Sequence, residues 1–370
     1  MIKIPKIICL MTFGRAGSKF FHSLVDWHPQ VMNFPRTFNY DDFWGKLPPE
    51  ANIDQIADLF TDRYPRFFSG KEWYKFNKYD RSENLGSNMD ETFSIDSSLF
   101  KKNLKELLSG KQIFRKVLFI ALHQAYHLAC GRDLPKKPFI LYHIHDTNNL
   151  NSLGVCLEDF PVDTSLLVMA RHPVGSINAV VKWMEMQGIL SSGHLCFHQK
   201  QVLKGTSELC EQFPDLDIKV LPLEQLHQDI VGCMKAFVNW QGLDWHDSLL
   251  KSTRMGKLWW GNGKNPMNGV NPNIQIYSPK SWLEQKDLKV LTLVAKERLR
   301  KLGYLNTSSK NRPPSRLLAL LPTAGEMQML KHESLPVWLK YYALRVINYF
   351  SFANKFSTKK EKVPKLLCEK

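Results

Sequence analysis

Residues 6–31 read KIICLMTFGRAGSKFFHSLVDWHPQV, and this stretch decides the predicted fold. The apolar run from Ile7 to Phe13 predicts a buried parallel strand. Gly14 and Gly17 then mark a turn, and apolar residues follow at helical spacing until His28-Pro29 ends the helix. A strand, a glycine-containing loop and a helix in this order predict one β–α unit of an α/β protein.

The loop after the predicted strand is a candidate anion site. Backbone N–H groups of such a loop and the positive end of the following helix dipole point at one spot. Arg15, Ser18 and Lys19 add side-chain donors there. The alternative is an ordinary β–α turn, since short glycine loops are common.

The composition is that of a globular protein with an excess of positive charge. The chain has 370 residues, of which 44% are apolar and 23% charged, and its formal net charge is +15. This charge favours anionic partners such as nucleotides, sulfated or phosphorylated substrates, nucleic acid or an acidic membrane surface. The seven cysteines are scattered without a CxxC pair, so we expect reduced thiols in a reducing compartment and no metal site.

The start of the chain does not follow the pattern of a signal peptide. Its apolar run is short, and it breaks at Gly14-Arg15 without a small-residue cleavage site. No later stretch approaches 18 consecutive apolar residues. We therefore expect a soluble, cytoplasmic protein without a membrane-spanning helix.

Further strands alternate with helices along the chain. Apolar runs at 138–145, 164–170 and 218–222 predict strands, and helical spacing predicts helices between them. The pattern predicts an α/β fold with a mainly parallel sheet, interrupted at residues 30–110 by an insertion of short helices and loops. Ligands of such sheets lie beyond the carboxyl ends of the strands, where the loop 14–19, His145-Asp146 and Arg171 are expected.

Four segments in this order resemble those of the sulfotransferases that use 3′-phosphoadenosine 5′-phosphosulfate (PAPS). Residues 13–19, FGRAGSK, are similar to the family's 5′-phosphosulfate loop, and the strand ending in YHIH at 142–145 takes the place of its Lys-Thr-His strand. Residues 167–173, LVMARHP, resemble the 3′-phosphate segment. Residues 252–262, STRMGKLWWGN, are similar to the late glycine-containing segment that closes over the nucleotide.

The resemblance implies a P-loop-like, three-layer fold and transfer of a sulfuryl group from PAPS to a hydroxyl of a carbohydrate or glycolipid, without a metal. It also implies a set of nucleotide contacts: Arg15, Ala16, Gly17, Ser18, Lys19, Phe20, Arg171, Ser176, Arg254, Lys257 and Trp259. Arg15 would in addition stabilise the charge that grows on the bridging oxygen during transfer.

The general base is a separate question. His145 occupies the place where cytosolic sulfotransferases carry a catalytic histidine, and His143 shares its face of the strand. His143 could stand in for the family's lysine at the transferring group, and the alternative is a structural histidine pair. Other members use a glutamate after His-Pro, but residues 34–36 read FPR here, which leaves Asp41 or Asp42 as further candidates.

Departures from the family pattern keep other functions open. Ala16 and Lys19 replace hydroxyl residues of the loop, and Ala179 replaces a helix serine, for which Ser176 or Asn178 could substitute. A homologue that binds nucleotide without transferring sulfate is one alternative. A P-loop kinase is another, although the loop lacks the GxxxxGK[ST] spacing, and a nucleic-acid-binding protein is a third, although no such motif is present.

Residues 311–370 are predicted to form a basic helical extension of an α/β domain at 1–310. Residues 336–352 read PVWLKYYALRVINYFSF, and the last twenty residues hold six Lys against two Glu. A basic aromatic helix of this kind could lie on an anionic membrane, which at the inner face of a cell would suit a lipid-linked acceptor. The alternative is a helix that packs on its own domain or on a partner subunit.

Overall fold

The structure is a computed structural model. It describes residues 4–12, 14–74, 81–146, 150–191, 193, 207–261, 267–271, 299–300, 302–304, 317, 320–322, 326–327, 330–331, 333–358 and 364–368.

A parallel sheet of six strands organises the described residues, in the order β2-β3-β1-β4-β5-β8. These strands are β1 (Lys6–Thr12), β2 (Val31–Met32), β3 (Phe139–Asp146), β4 (Thr164–Ala170), β5 (Asp217–Pro222) and β8 (Lys365–Leu366). A separate antiparallel pair joins β6 (Thr253–Arg254) to β7 (Lys257–Leu258). After its first residue every side chain of β1 is buried, as expected for a strand covered on both faces.

Helices occupy most of the connections between the strands. They are α1 (Ser18–Val25), α2 (Tyr40–Gly45), α3 (Ile53–Arg63), α4 (Pro65–Phe68), α5 (Gly70–Tyr74), α6 (Ser97–Leu108), α7 (Arg115–Ala129), α8 (Leu150–Asp159), α9 (Pro173–Gln187), α10 (Ser207–Gln212), α11 (Leu223–Gln228), α12 (Ile230–Gln241) and α13 (Leu335–Thr358). The predicted α/β fold is therefore confirmed, and the bounds of the four predicted strands agree with β1, β3, β4 and β5 to within one residue, whereas β2 and β8 were not predicted.

One predicted helix is two helices. The sequence after the strand at 218–222 predicts one helix at about 224–242, but the structure divides it at Asp229, whose carboxylate accepts a hydrogen bond of 2.8 Å from the N–H of Gly232. Asp229 therefore caps a new helix, α12, instead of continuing α11. Gly242 ends α12 in the left-handed conformation, with φ of +72°.

Contacts divide the chain into two compact units. The first unit comprises residues 1–11, 18–167 and 228–271, and the second comprises 12–17, 168–227 and 272–370. The predicted boundary at residue 310 stays a prediction.

The insertion at residues 30–110 is built on an aromatic core within the first unit. Phe34 is at its centre, with ring contacts to Phe38, Phe60, Phe67, His123 and Tyr126. Such edge-to-face and stacked pairs stabilise a core beyond the area that they bury. Many aromatic side chains of this segment therefore serve packing.

His123 is a titratable group inside this aromatic core. Its Nδ1–H donates a hydrogen bond of 2.8 Å to the Phe119 carbonyl, and burial lowers its pKa to about 3. Between about pH 6.5 and pH 3 the unfolded chain therefore binds a proton at His123 that the folded chain does not. This contribution destabilises the fold as the pH decreases through that window.

We expect the variant His123→Phe to lose less stability on acidification than the parent chain. Between pH 6.5 and pH 5, the free energy of unfolding of the parent chain should decrease by up to about 2 kcal/mol more than that of the variant. The reason is that only the parent has a buried imidazole that opposes protonation. Urea titrations at both pH values measure this difference. The parent chain, titrated under the same conditions, is the reference, and an identical decrease for His123→Phe would contradict the assignment.

Candidate anion-binding site

The glycine loop has the backbone conformation that an anion cradle requires. Gly14 and Gly17 have φ of +70° and +87°, which glycine adopts without a steric penalty. The N–H of Ala16 donates to the Gly14 carbonyl at 3.0 Å, and the Ala16 side chain is fully buried. The loop is thus a tight turn at the carboxyl end of β1.

Arg171 is fixed against this loop in the second unit. Its Nη1 donates to the carbonyl oxygen of Arg15 at 3.3 Å. The guanidinium of Arg15 lies 5.6 Å from the centroid of the Trp183 ring. Arg15 is exposed at the surface, but partial desolvation and, after it, the repulsion from the positive charge of Arg171 lower the pKa of its guanidinium. The sequence predicted that both arginines bind the nucleotide, and the structure brings them together.

Glu224 holds the other side of Arg171. Its carboxylate is buried and lies 3.9 Å from Nε of Arg171. It accepts hydrogen bonds from the backbone N–H of His172, at 3.2 Å, and from the hydroxyl of Tyr304. Burial lowers the pKa of Arg171, and the charge of Glu224 opposes this effect. The carboxylate therefore stabilises the arginine in its buried position.

The first turns of α9 add polar groups next to Arg171. Pro173 begins the helix, where its missing N–H costs nothing. Ser176 is only 1% exposed, and among the described residues neither its hydroxyl oxygen nor Oδ1 of Asn178 has a hydrogen-bond partner. A buried hydroxyl without a partner is unfavourable, so Ser176 is a candidate ligand contact.

The remaining loop candidates lie in the first unit, at the start of α1. Ser18 is the first residue of the helix and is buried, while Lys19 and Phe20 are partly exposed. Their backbone N–H groups belong to the first turn of the helix and point toward its N-terminal end. Their role at a nucleotide stays a prediction.

The late segment has more structural contacts than the sequence indicated. Nη1 of Arg254 donates to the Ser82 hydroxyl at 2.6 Å, and the guanidinium lies 4.5 Å from the centroid of Trp259. Burial lowers the pKa of Arg254 to about 9, although the charge of Asp26 opposes this. Lys257 forms an ion pair with Glu91. Trp259 is buried, and the indole N–H of Trp260 donates to the Gly86 carbonyl at 2.7 Å.

His143 is part of a buried histidine pair. Its ring stacks on His22 with 5.3 Å between centroids and 28° between planes. Burial lowers the pKa of His22 to about 4. His145 belongs to β3, which runs one residue past it to Asp146, but its side chain lies outside the described residues. Both roles as a base stay predictions.

The two aspartates considered as alternative bases have partners. The hydroxyl of Ser152 donates to Asp41, and Arg63 forms an ion pair with Asp42. Lys46 lies 3.7 Å from the other oxygen of Asp42. These contacts favour structural roles for both carboxylates.

Two buried acids were not among the residues for which the sequence predicted a role. One is Glu224, and its position directly after the apolar strand β5 was a usable signal. The other is Asp26, whose carboxylate accepts from Thr253 Oγ1 at 3.1 Å and from the N–H of Gly256 at 3.0 Å. Asp26 thereby fixes the late segment to the end of α1, which only the tertiary structure reveals.

Comparisons with known proteins were made for both sequence and structure. No protein-family model and no curated protein sequence matches this chain. The structure is similar to the sulfotransferase domain of the curacin biosynthetic pathway, with a TM-score of 0.43 and 10% identity over 82% of this chain and 99% of that one. It is also similar to the sulfotransferase STF9 of Mycobacterium avium, with a TM-score of 0.39 and 11% identity over 80% and 77% of the two chains.

A third similar structure is the sulfotransferase domain of the Synechococcus PCC 7002 olefin synthase, with a TM-score of 0.31 and 12% identity over 96% of both chains. These structures are sulfotransferases, the family that the four sequence segments resemble. Identities and TM-scores of this size leave the activity, the donor and the acceptor to be argued from this chain's own residues.

Ser176 and Ser152 form a matched pair for a stability test. Both are 1% exposed and helical, but only Ser152 has a partner for its hydroxyl, the carboxylate of Asp41. We expect Ser152→Ala to cost about 1 kcal/mol of unfolding free energy, because it removes the hydrogen bond from the buried Ser152 hydroxyl to the partly exposed carboxylate of Asp41. Ser176→Ala should cost less than about 0.5 kcal/mol, or stabilise the fold. Urea denaturation checks both, and an equal loss would show that Ser176 has a structural partner.

Proposed function

We propose that this chain transfers a sulfuryl group from PAPS to a hydroxyl group of an acceptor. The main support is the arrangement at Arg171, which contacts the glycine loop through Arg15 and directly precedes the helix that carries Ser176. Two guanidiniums and a buried hydroxyl without a partner favour a ligand with several anionic oxygens.

The donor has anionic groups at both ends of its nucleoside. In the proposed arrangement the loop N–H groups and Arg15 bind the 5′-phosphosulfate, with Ser18 and Lys19 from the start of α1. Arg171 and Ser176 bind the 3′-phosphate, for which the fork of a guanidinium is well suited. These residues supply charge and hydrogen bonds, so the proposed transfer requires no metal.

The chemical step exchanges one S–O bond for another. The acceptor hydroxyl attacks sulfur while the bond from sulfur to the bridging oxygen of the phosphosulfate breaks. Arg15 stabilises the negative charge that grows on the departing phosphate oxygen. The acceptor loses its proton to a general base, for which we propose His145, and the bisphosphate is released as the second product.

The acceptor is proposed to be a carbohydrate or glycolipid. This class rests on the resemblance of residues 13–29 to carbohydrate and protein sulfotransferases, including His28-Pro29. His28 is buried, and one of its ring nitrogens lies 3.0 Å from the Asp244 carbonyl, so His28 serves the structure of the first unit. The expected cytoplasmic location also stays a prediction.

Titration calorimetry with 3′,5′-adenosine bisphosphate tests the donor. We expect micromolar binding of the bisphosphate and much weaker binding of ATP with Mg²⁺. Arg15→Ala and Arg171→Ala should each weaken bisphosphate binding by about tenfold to a hundredfold, because each removes a charge-assisted hydrogen-bond donor. Ser176→Ala should weaken it while leaving stability intact.

Arg63→Ala is the matched control for these arginine variants. Arg63 pairs with Asp42 on a helix of the insertion, and its loss should leave the bisphosphate affinity unchanged. Unchanged affinity in both Arg15→Ala and Arg171→Ala would remove the proposed phosphate positions. Preference for ATP would favour a phosphoryl-transferring enzyme instead.

The proposed base is tested by separating binding from transfer. His145→Ala should keep the bisphosphate affinity but lower the turnover of radiolabelled PAPS with alkyl glycosides or glycolipids by at least about a hundredfold. His143→Gln is the companion variant, because it removes the stacked neighbour of His22. A fully active His145→Ala variant would move the base to His143, Asp41 or Asp42.

A further inference from the structure

The helix α13 has an unusual distribution of side chains. Its buried stripe contains a charged residue, Arg345, together with Trp338 and Tyr341. Its solvent-facing side contains five large apolar residues that are 45–61% exposed: Leu335, Val337, Leu339, Leu344 and Ile347. A helix at the surface of a soluble domain normally presents its polar face to water. The outer face of α13 is therefore a candidate interaction surface.

A buried ion pair fixes which face of α13 points outward. Nε and Nη2 of Arg345 donate to the two carboxylate oxygens of Glu326 at 2.7 and 2.8 Å. Nη2 also lies 2.8 Å from the carbonyl of Leu321, and the Trp338 indole N–H donates to the Glu326 carbonyl at 2.6 Å. This bidentate ion pair holds the helix in one orientation. If α13 turned to bury its apolar face instead, the buried carboxylate of Glu326 would lose its partner.

The exposed side chains form one continuous face. At 100° per residue, Leu335, Leu339 and Ile347 cover one part of the outer arc, and Val337 and Leu344 cover the adjoining part. Lys340 is exposed within this arc and is the only charged residue of 335–347 besides the paired Arg345. Leu320, Leu321 and Met327, which precede the helix, are also 45–55% exposed. Contiguous apolar surface of this kind marks an interaction site.

The charge of the C-terminal sequence favours one kind of partner. From residue 335 onward the sequence holds seven lysines against two glutamates, in addition to the paired Arg345. A second copy of the same face would bring these like charges together, which is unfavourable. A bilayer that contains anionic lipids offers both an apolar layer for the exposed Leu, Val and Ile side chains and negative charge for the lysines.

We propose that α13 binds the surface of an anionic lipid bilayer through its outer face, with the helix axis parallel to the membrane plane. Among the described helices none is long and apolar enough to cross a bilayer. The proposal concerns a surface contact and does not depend on the proposed sulfuryl transfer. A lipid-linked acceptor would make the two compatible.

Flotation of the full chain with vesicles tests the proposal. We expect partition into vesicles of phosphatidylcholine with about one third phosphatidylglycerol, and at least about tenfold less partition into pure phosphatidylcholine, because each lysine near an anionic surface adds to the affinity. Raising the salt from about 0.1 to 0.5 M should weaken binding severalfold.

Variants of the outer face make the test specific. The double variant Leu344→Glu with Ile347→Glu should reduce partition by at least about tenfold, because it places two acids against the bilayer. Val162→Glu changes an exposed apolar residue of the first unit and is the control that should bind as the parent does. Both variants should keep the parent's circular dichroism and bisphosphate affinity.

The results that would overturn the proposal are distinct. One is the absence of binding to the anionic vesicles, and another is equal binding to neutral ones. A third is a dimer in analytical ultracentrifugation that Leu344→Glu with Ile347→Glu dissociates, because the outer face would then be covered by a second copy of the chain.

Discussion

The arrangement of the second unit depends on how Arg171 is held after strand β4. A guanidinium taken out of water costs several kcal/mol unless its charge and its donors are matched. Glu224 supplies the opposite charge on one side, and the Arg15 carbonyl accepts a hydrogen bond on the other. Tyr304 and the His172 N–H in turn hold Glu224. The carboxylate stabilises Arg171 without using all of the guanidinium's hydrogen-bond donors, since Nε of Arg171 has no hydrogen-bond partner among the described residues.

The balance of charge at this place explains why an anion is an attractive ligand. Arg15 and Arg171 bring two positive charges against one buried carboxylate, and partial desolvation together with the charge of Arg171 lowers the pKa of Arg15. An arriving phosphate would relieve the repulsion between the arginines and accept from donors that the protein leaves unused. Burial and, after it, the positive charge of Arg171 lower the pKa of His172 and of His227 to about 4. Both imidazoles are therefore neutral near pH 7.

The first unit has a cation at the position where the family that the sequence resembles carries an acid. Phe34-Pro35-Arg36 replaces the glutamate that other members of the resembled family carry after His-Pro. The Phe34 ring packs in the aromatic core. Arg36 is buried, and its pKa lies well below its usual value, first because of burial and then because of the charges of Arg254 and Arg66. A carboxylate base from this segment is therefore absent from the described residues, which leaves the proposed base on β3.

The sequence by itself determined the α/β class, the four longer strands β1, β3, β4 and β5, and the placement of Arg15 and Arg171 after β1 and β4. Apolar runs, helical spacing and glycine turns are local signals, and the carboxyl ends of parallel strands converge wherever such a sheet forms. Only the tertiary structure decided that Glu224 supports Arg171, that the Ser176 hydroxyl lacks a partner and that Asp26 fixes the late segment. The same holds for α13, in which Arg345 is buried while Leu344 is exposed. These facts depend on which distant groups meet in space, because the energy of a buried polar group is set by its partners and not by its neighbours in sequence.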